Sequence, residues 1–149
     1  MSEHPQRFVL ITGSHGQLGR AVITACTKRG IACEGRDIDT LDIGDAAAVT
    51  RWIGSSRPTD VVNCAAYTAV DDCETDEQSA LRINGTAVGH LAAACTAGSA
   101  RLVHISTDYV FAGDGDRPYR EDDPVAPISA YGRTKLRGEQ LAVGAQQHL

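Results

Sequence analysis

The chain has 149 residues, 42% hydrophobic and 22% charged, with a formal net charge of -5. That suffices for one domain with a real core and is short for two. The acidic balance, with Lys and Arg scattered, gives no footprint for DNA or RNA, and dispersed His and Cys give no metal site.

The first seven residues are polar and lack an apolar signal core. Phe8-Val9-Leu10-Ile11 then reads as a strand buried on both faces, ending in Thr12-Gly13. Gly19 to Arg29 reads as a helix with Val22, Ile23 and Cys26 inward, ended by Gly30. Ile31-Ala32-Cys33 opens a weaker second strand, and Asp45 reads as the N-cap of a helix through Ile53. Asp60-Val61-Val62-Asn63 is a third strand, and Cys64-Ala65-Ala66 its exit. From about Asp76 to Ala97, Leu81, Asn84, Val88, Leu91 and Cys95 recur at helical spacing, which predicts one long helix ended by Gly98. Leu102 to Ser106 is a fourth strand, and residues 112–130, rich in Gly and Pro, form a long ordered loop. Tyr131 opens a last helix toward Val143, and residues 146–149 are expected to fray.

Strand-helix alternation predicts an α/β, Rossmann-like doubly wound parallel sheet in a single domain. No stretch approaches the roughly 18 apolar residues of a membrane span. The cysteines (Cys26, Cys33, Cys64, Cys73, Cys95) lie mostly in apolar segments and read as buried thiols of a reducing, cytoplasmic compartment. Cys73, between Asp72 and Glu74, is the one expected to be exposed.

Two motifs carry the chemistry. Gly13, Gly16 and Gly19 follow the first strand and open a helix, the context for a dinucleotide seat. Gly13 permits the turn, Gly16 admits phosphates to backbone N–H groups, and Gly19 lets helix and strand close up. After the second strand stand Glu34, Gly35, Arg36 and Asp37. An acid there favours NAD by binding the ribose 2'-hydroxyl, and an Arg can accept a 2'-phosphate. Arg36 tilts the reading toward NADP(H), with NAD(H) as the alternative, and a solvated Arg36 stays open. Asp42 can face the adenine amino group with Ile43 against the ring, or be a turn residue.

The second motif pairs Tyr131 with Lys135 one helical turn on. A ketone that accepts a hydride needs a proton donor. Tyr131 serves if a nearby ammonium lowers its pKa. Lys135 would also reach the nicotinamide ribose. Thr107, at the C-terminal end of the fourth strand, can donate to the same carbonyl oxygen. Asn84, on an apolar helical stripe, must be bonded: to a main-chain carbonyl, or to a water relaying protons to Lys135.

Together these residues resemble the extended short-chain dehydrogenase/reductase family. The strings Asn63 to Asp71, Ser106-Thr107-Asp108-Tyr109-Val110-Phe111 and Tyr131 to Glu139 are similar to its dTDP-4-dehydrorhamnose reductase branch, over about residues 7 to 142. The resemblance implies NADPH-dependent reduction of the C4 ketone of dTDP-4-dehydro-L-rhamnose to dTDP-L-rhamnose, with Tyr131 as proton donor, Lys135 as its support and Thr107 as hydrogen-bond donor. It places Gly16, Gln17 and Leu18 at the pyrophosphate, and Asp42, Ile43, Ala65, Ala66, Tyr67 and Thr68 along the cofactor groove. Asp108 would touch the sugar nucleotide. Plain strand-end packing is the lesser alternative for Tyr67 and the Ala65-Ala66 step.

Family members continue past the Tyr-x-x-x-Lys helix into further strands and a sugar-nucleotide domain, which these 149 residues do not include. A longer gene product, or a partner such as a second copy over the open sheet edge, is therefore expected. Two competing readings stand beside the reductase. One is a non-catalytic NADP-binding regulatory subunit resembling the β subunit of methionine adenosyltransferase. The other is a different nucleotide-sugar reductase or epimerase of the extended family.

Overall fold

The computed structural model describes residues 7–149, so the polar start of the chain, residues 1–6, lies outside the described residues. Strands β1 (Phe8–Thr12), β2 (Ala32–Arg36), β3 (Asp60–Asn63) and β4 (Arg101–His104) pair in parallel in the order β2-β1-β3-β4. Leu10 lies opposite Glu34 on one side and Val61 on the other, and Val61 lies opposite Leu102.

Alternating side chains of β1 explain its unbroken apolar run. Leu10 points into the main core with Val49, Trp52, Ile53, Leu91 and Leu102. There the sheet meets α2 (Ala46–Ser56) and α5 (Ala87–Gly98). Val9 and Ile11 point the other way, onto Cys26, Val22 and Ile23 of α1 (Gln17–Lys28). Leu10 and Ile11 are both fully buried. Each contributes roughly 1.5–3 kcal/mol by leaving water. Asp45 caps α2, accepting from Ala47 N at 2.9 Å and Ala48 N at 3.0 Å. At the N-terminal edge of the sheet the Asp60 carboxylate, 4% exposed, accepts from Arg7 Nε (3.0 Å) and Arg101 Nε (2.7 Å). Burial alone would raise Asp60, but these cations and Thr59 hold it below the usual carboxylate range.

Three local expectations change. The long helix is interrupted: α3 (Val70–Thr75) and α4 (Glu77–Leu81) precede a π-helical turn, Arg82–Thr86, that leads into α5. The extra residue in that turn rotates the stripe, so Leu81 is 39% exposed instead of inward. Cys73 is fully buried, because α3 folds it against Ala80 and Ala130. Residues 147–149 do not fray. Leu102 N donates to the Gln147 carbonyl, His104 N to that of Leu149, and Leu149 N to that of Leu102, each at 2.9 Å. They satisfy polar groups that the outer edge of β4 would otherwise leave open.

The Gly- and Pro-rich loop is held by its own contacts. Phe111 stacks on Tyr119 at 4.4 Å, and Arg117 forks onto Asp123 at 2.9 and 2.6 Å. It delivers the chain to α6 (Ala130–Ala142), whose N-cap Ser129 accepts from Gly132 N at 3.0 Å. Among the described residues no helix is long and apolar enough to cross a membrane.

Candidate active site

The site is built at the C-terminal ends of the strands, where parallel sheets open a crevice. After β1 the chain turns sharply at Gly13, whose φ is +62°. A Cβ on Gly13 would lie 2.6 Å from Ala65 N, and one on Gly19 would lie 2.2 Å from the Gly13 carbonyl oxygen. Neither fits, so α1 and the exit of β3 close onto the turn as backbone against backbone. Gly16 is the N-cap of α1 and supplies no side-chain cap. The first amides of α1 are therefore left for an anionic ligand, with the helix dipole behind them.

These amides face a groove of about 840 Å³. One wall is Gly13, Gly16, Gln17 and Leu18, and the other is Ala65, Ala66, Tyr67 and Thr68, joined by Cys64. Asp37, Ile38, Leu41 and Ile43 line its far end. A turn that side chains would fill, open helix amides and a mostly apolar groove fit a dinucleotide. Gly19 lies beneath the groove as packing.

Two residues expected at the groove are placed elsewhere. Arg36 does not line it: the guanidinium donates to Glu34 Oε1 at 2.8 Å and lies over the Trp52 ring at 5.1 Å. Glu34 and Arg36 are two apart on β2 and share a face, and Trp52 Nε1 donates to the same Glu34 oxygen at 2.8 Å. Asp42 is the turn residue of its two readings. It accepts from Gly44 N at 2.8 Å and pairs with Arg82 of the π turn, which holds its carboxyl below the usual range. The side chain that does reach the far end is Asp37. It accepts from His15 N at 2.8 Å and so braces the glycine turn. Asp37 stands out in the sequence as the first residue after β2, but its role depends on which face Arg36 takes.

Asn84 is 1% exposed and fully engaged. Its Oδ1 accepts from Tyr67 N at 2.8 Å, and its Nδ2 donates to the Tyr67 carbonyl at 3.0 Å and to Thr134 Oγ1 at 3.2 Å. Of its two readings this is the main-chain one. The amide fixes the backbone of a groove-wall residue and ties it to α6.

The Tyr131 ring packs edge-on against Tyr109, centroids 5.6 Å apart, and joins Tyr67 on one small apolar cluster. Burial raises the Tyr131 phenol above its ordinary value, and the nearby Thr107 hydroxyl opposes this. Thr107 is half-buried; its hydroxyl also accepts from Tyr109 N at 3.2 Å and lies 3.3 Å from exposed Asp108. Lys135 is 3% exposed, and its Nζ donates to the Ile105 carbonyl at 2.5 Å. Burial lowers its ammonium, with Glu139 acting against the shift. The Lys135 ammonium is anchored on the Ile105 carbonyl, and the Thr107 hydroxyl acts to lower the Tyr131 phenol.

Known proteins share this fold. The family described as RmlD substrate binding domain matches residues 7–148. A dTDP-4-dehydrorhamnose reductase of Streptomyces griseus is 47% identical over 143 residues, which are 96% of this chain and 47% of the relative. A crystal structure of a dTDP-4-dehydrorhamnose reductase from Clostridium acetobutylicum superposes with a TM-score of 0.92 at 41% identity, covering 95% of this chain and 51% of that one. One from Bacillus anthracis in complex with NADP gives 0.93 at 35% identity, covering 99% and 53%. The chain spans about half the length of the curated relatives it matches.

Proposed function

The chain belongs to the RmlD substrate binding domain family, within the extended short-chain dehydrogenases/reductases, and from that premise we propose that it serves the NADPH-dependent reduction of the C4 ketone of dTDP-4-dehydro-L-rhamnose to dTDP-L-rhamnose. The observation that carries this reading is the joint packing of Tyr67 and Tyr131 on one cluster, with Asn84 fixing Tyr67. Tyr67 lines the groove and shares this cluster with the Tyr131 ring, which supports a phenol acting at the edge of a dinucleotide site. NADP(H) is the preferred cofactor, in line with the NADP complex of the Bacillus anthracis relative. NAD(H) is accepted, because Asp37 at the far end offers a carboxylate to a ribose hydroxyl.

In this reading Gly13, Gly16, Gln17 and Leu18 hold the pyrophosphate, and Ile43, Ala65, Ala66, Tyr67 and Thr68 flank the cofactor. When bound, the reduced nicotinamide supplies a hydride. Tyr131 gives its phenolic proton to the developing C4 alkoxide, and Thr107 donates a hydrogen bond to the same oxygen. Lys135, as an ammonium, stabilises the phenolate left behind. Asp108, exposed at the rim, meets the sugar nucleotide. The five free thiols fit a cytoplasmic setting.

The test is the purified protein with dTDP-4-dehydro-L-rhamnose and NADPH, followed by mass spectrometry of the sugar. Formation of dTDP-L-rhamnose, reduced at least about 100-fold by Tyr131→Phe, is expected. NADPH binding with no turnover of this sugar would overturn the assignment and favour a regulatory nucleotide-binding role.

A further inference from the structure

Helix α6 is fastened to the exit of β4 at two points: Lys135 Nζ donates to the Ile105 carbonyl, and the Ser106 hydroxyl donates to Glu139 Oε1. The first involves a residue assigned to chemistry. The second has no part in it so far, although it joins residues adjacent to that set: Ser106 directly precedes Thr107, and Glu139 follows Lys135 by one helical turn.

The surroundings of Lys135 make this pair informative. The ammonium is almost fully buried, where an unpaired charge is costly. On its own helix the titratable groups facing this place are Tyr131 and Glu139. From β4 comes His104, which burial and the Lys135 charge push down to about 4, so it is neutral above that pH. Among the described residues, the carboxylate that acts on the ammonium is Glu139. Left free, a half-buried Glu one turn along would swing toward solvent. The Ser106 hydroxyl holds it against the exit of β4.

We propose that Glu139 is a positioning residue of the active site: tethered by Ser106, its carboxylate is the counter-charge that keeps Lys135 an ammonium in a buried place and fixes α6 over the exit of β4. The value of this device rests on the role given to Lys135 above, but its test reads Lys135 directly and needs no turnover.

The chain has two lysines, Lys28 and Lys135. With Lys28→Arg and 13Cε-labelled lysine, one NMR signal reports the titration of Lys135. Glu139→Gln is expected to lower that midpoint by on the order of one pH unit, and Glu139→Asp to restore most of it. A structural contact alone would change the melting temperature and leave the midpoint in place. An unchanged midpoint in folded Glu139→Gln overturns the proposal. Should that variant fail to fold, Ser106→Ala decides: it frees the carboxylate without deleting it, so the midpoint must fall by a smaller amount, and a fixed midpoint overturns the tether. If the sugar assay fails while the midpoint shifts, the function reading is at fault and the positioning device stands.

Discussion

Asn84 grips both backbone polar groups of Tyr67, one with each end of its amide, across 17 residues of sequence. The π turn makes this reach available: it bulges the helix just where Asn84 sits, toward the exit of β3. Asn84→Ala is expected to leave a partly buried N–H and C=O unpaired, costing about 1–3 kcal/mol in urea denaturation. It should also weaken NADPH binding, because Tyr67 lines the groove. Asn84→Asp keeps the acceptor but buries a carboxylate against the Tyr67 carbonyl, and should be no milder than Asn84→Ala. Full-strength binding by folded Asn84→Ala would show that Tyr67 needs no such brace.

Backbone contact at the glycine turn gives a sharper contrast. Gly19→Ala would put a methyl 2.2 Å from the Gly13 carbonyl oxygen. Helix α1 must then shift, and binding should drop by at least tenfold. Gly54→Ala lies in exposed helix with nothing within 4 Å and should stabilise by roughly 0.5–1 kcal/mol. Thermal melts and nucleotide titration of the two variants check the pair. Equal behaviour would mean that the close approach of α1 is unimportant.

Arg36 is held by Glu34 and Trp52 away from the groove. Arg36→Ala is therefore expected to change the NADPH-to-NADH affinity ratio by less than about threefold, a small step beside the tenfold of 1.4 kcal/mol. A tenfold or larger fall in that ratio would show that the side chain leaves Glu34 to meet a 2'-phosphate.

His104 makes an acid-sensitive joint. Asn63 Nδ2 lies 3.0 Å from His104 Nδ1, and Asn63 Oδ1 accepts from Thr12 Oγ1 at 2.5 Å. The amide therefore donates to the ring, and the ring proton sits on Nε2, which is buried without a partner among the described residues. Burial first, and then Lys135, lower the imidazole from 6.5 to about 4. The unfolded chain binds the proton first as pH falls. Stability is thus complete above pH 6.5 and is lost between 6.5 and about 4, by up to about 3 kcal/mol. The carboxylates Asp37, Asp42 and Asp60, all held below their ordinary value of 3.8, contribute stability that is lost at lower pH still. Urea midpoints measured from pH 7 to 4 should fall for the parent chain and stay flatter for His104→Gln. Parallel curves would contradict the buried neutral ring.

Features set by neighbours along the chain are legible from the residues alone. The run Phe8 to Ile11, the Gly13–Gly19 turn and the Asp45 cap depend on a few adjacent residues and on burial of both sheet faces. Asn84 is recognisable as an amide that needs partners, because it stands on an apolar stripe. Its partner is not, since Tyr67 comes within reach only through a π turn that periodicity does not reveal. Arg36 escapes for a related reason. Period-two alternation already puts Glu34 and Arg36 on one face, but the Trp52 ring that completes the trap comes from α2. Cys73 and residues 147–149 depart from expectation because the packing of α3 and the cover on the outer edge of β4 are tertiary facts.

The most direct test of the account is NADPH fluorescence titration of the chain, its Gly16→Asp variant and its Tyr131→Phe variant. Saturable binding by the parent, retained in Tyr131→Phe and abolished by a carboxylate placed at the open amides of α1, is the expected result. No binding by the folded parent, or binding indifferent to Gly16→Asp, would contradict the assignment of the groove and with it the reductase reading.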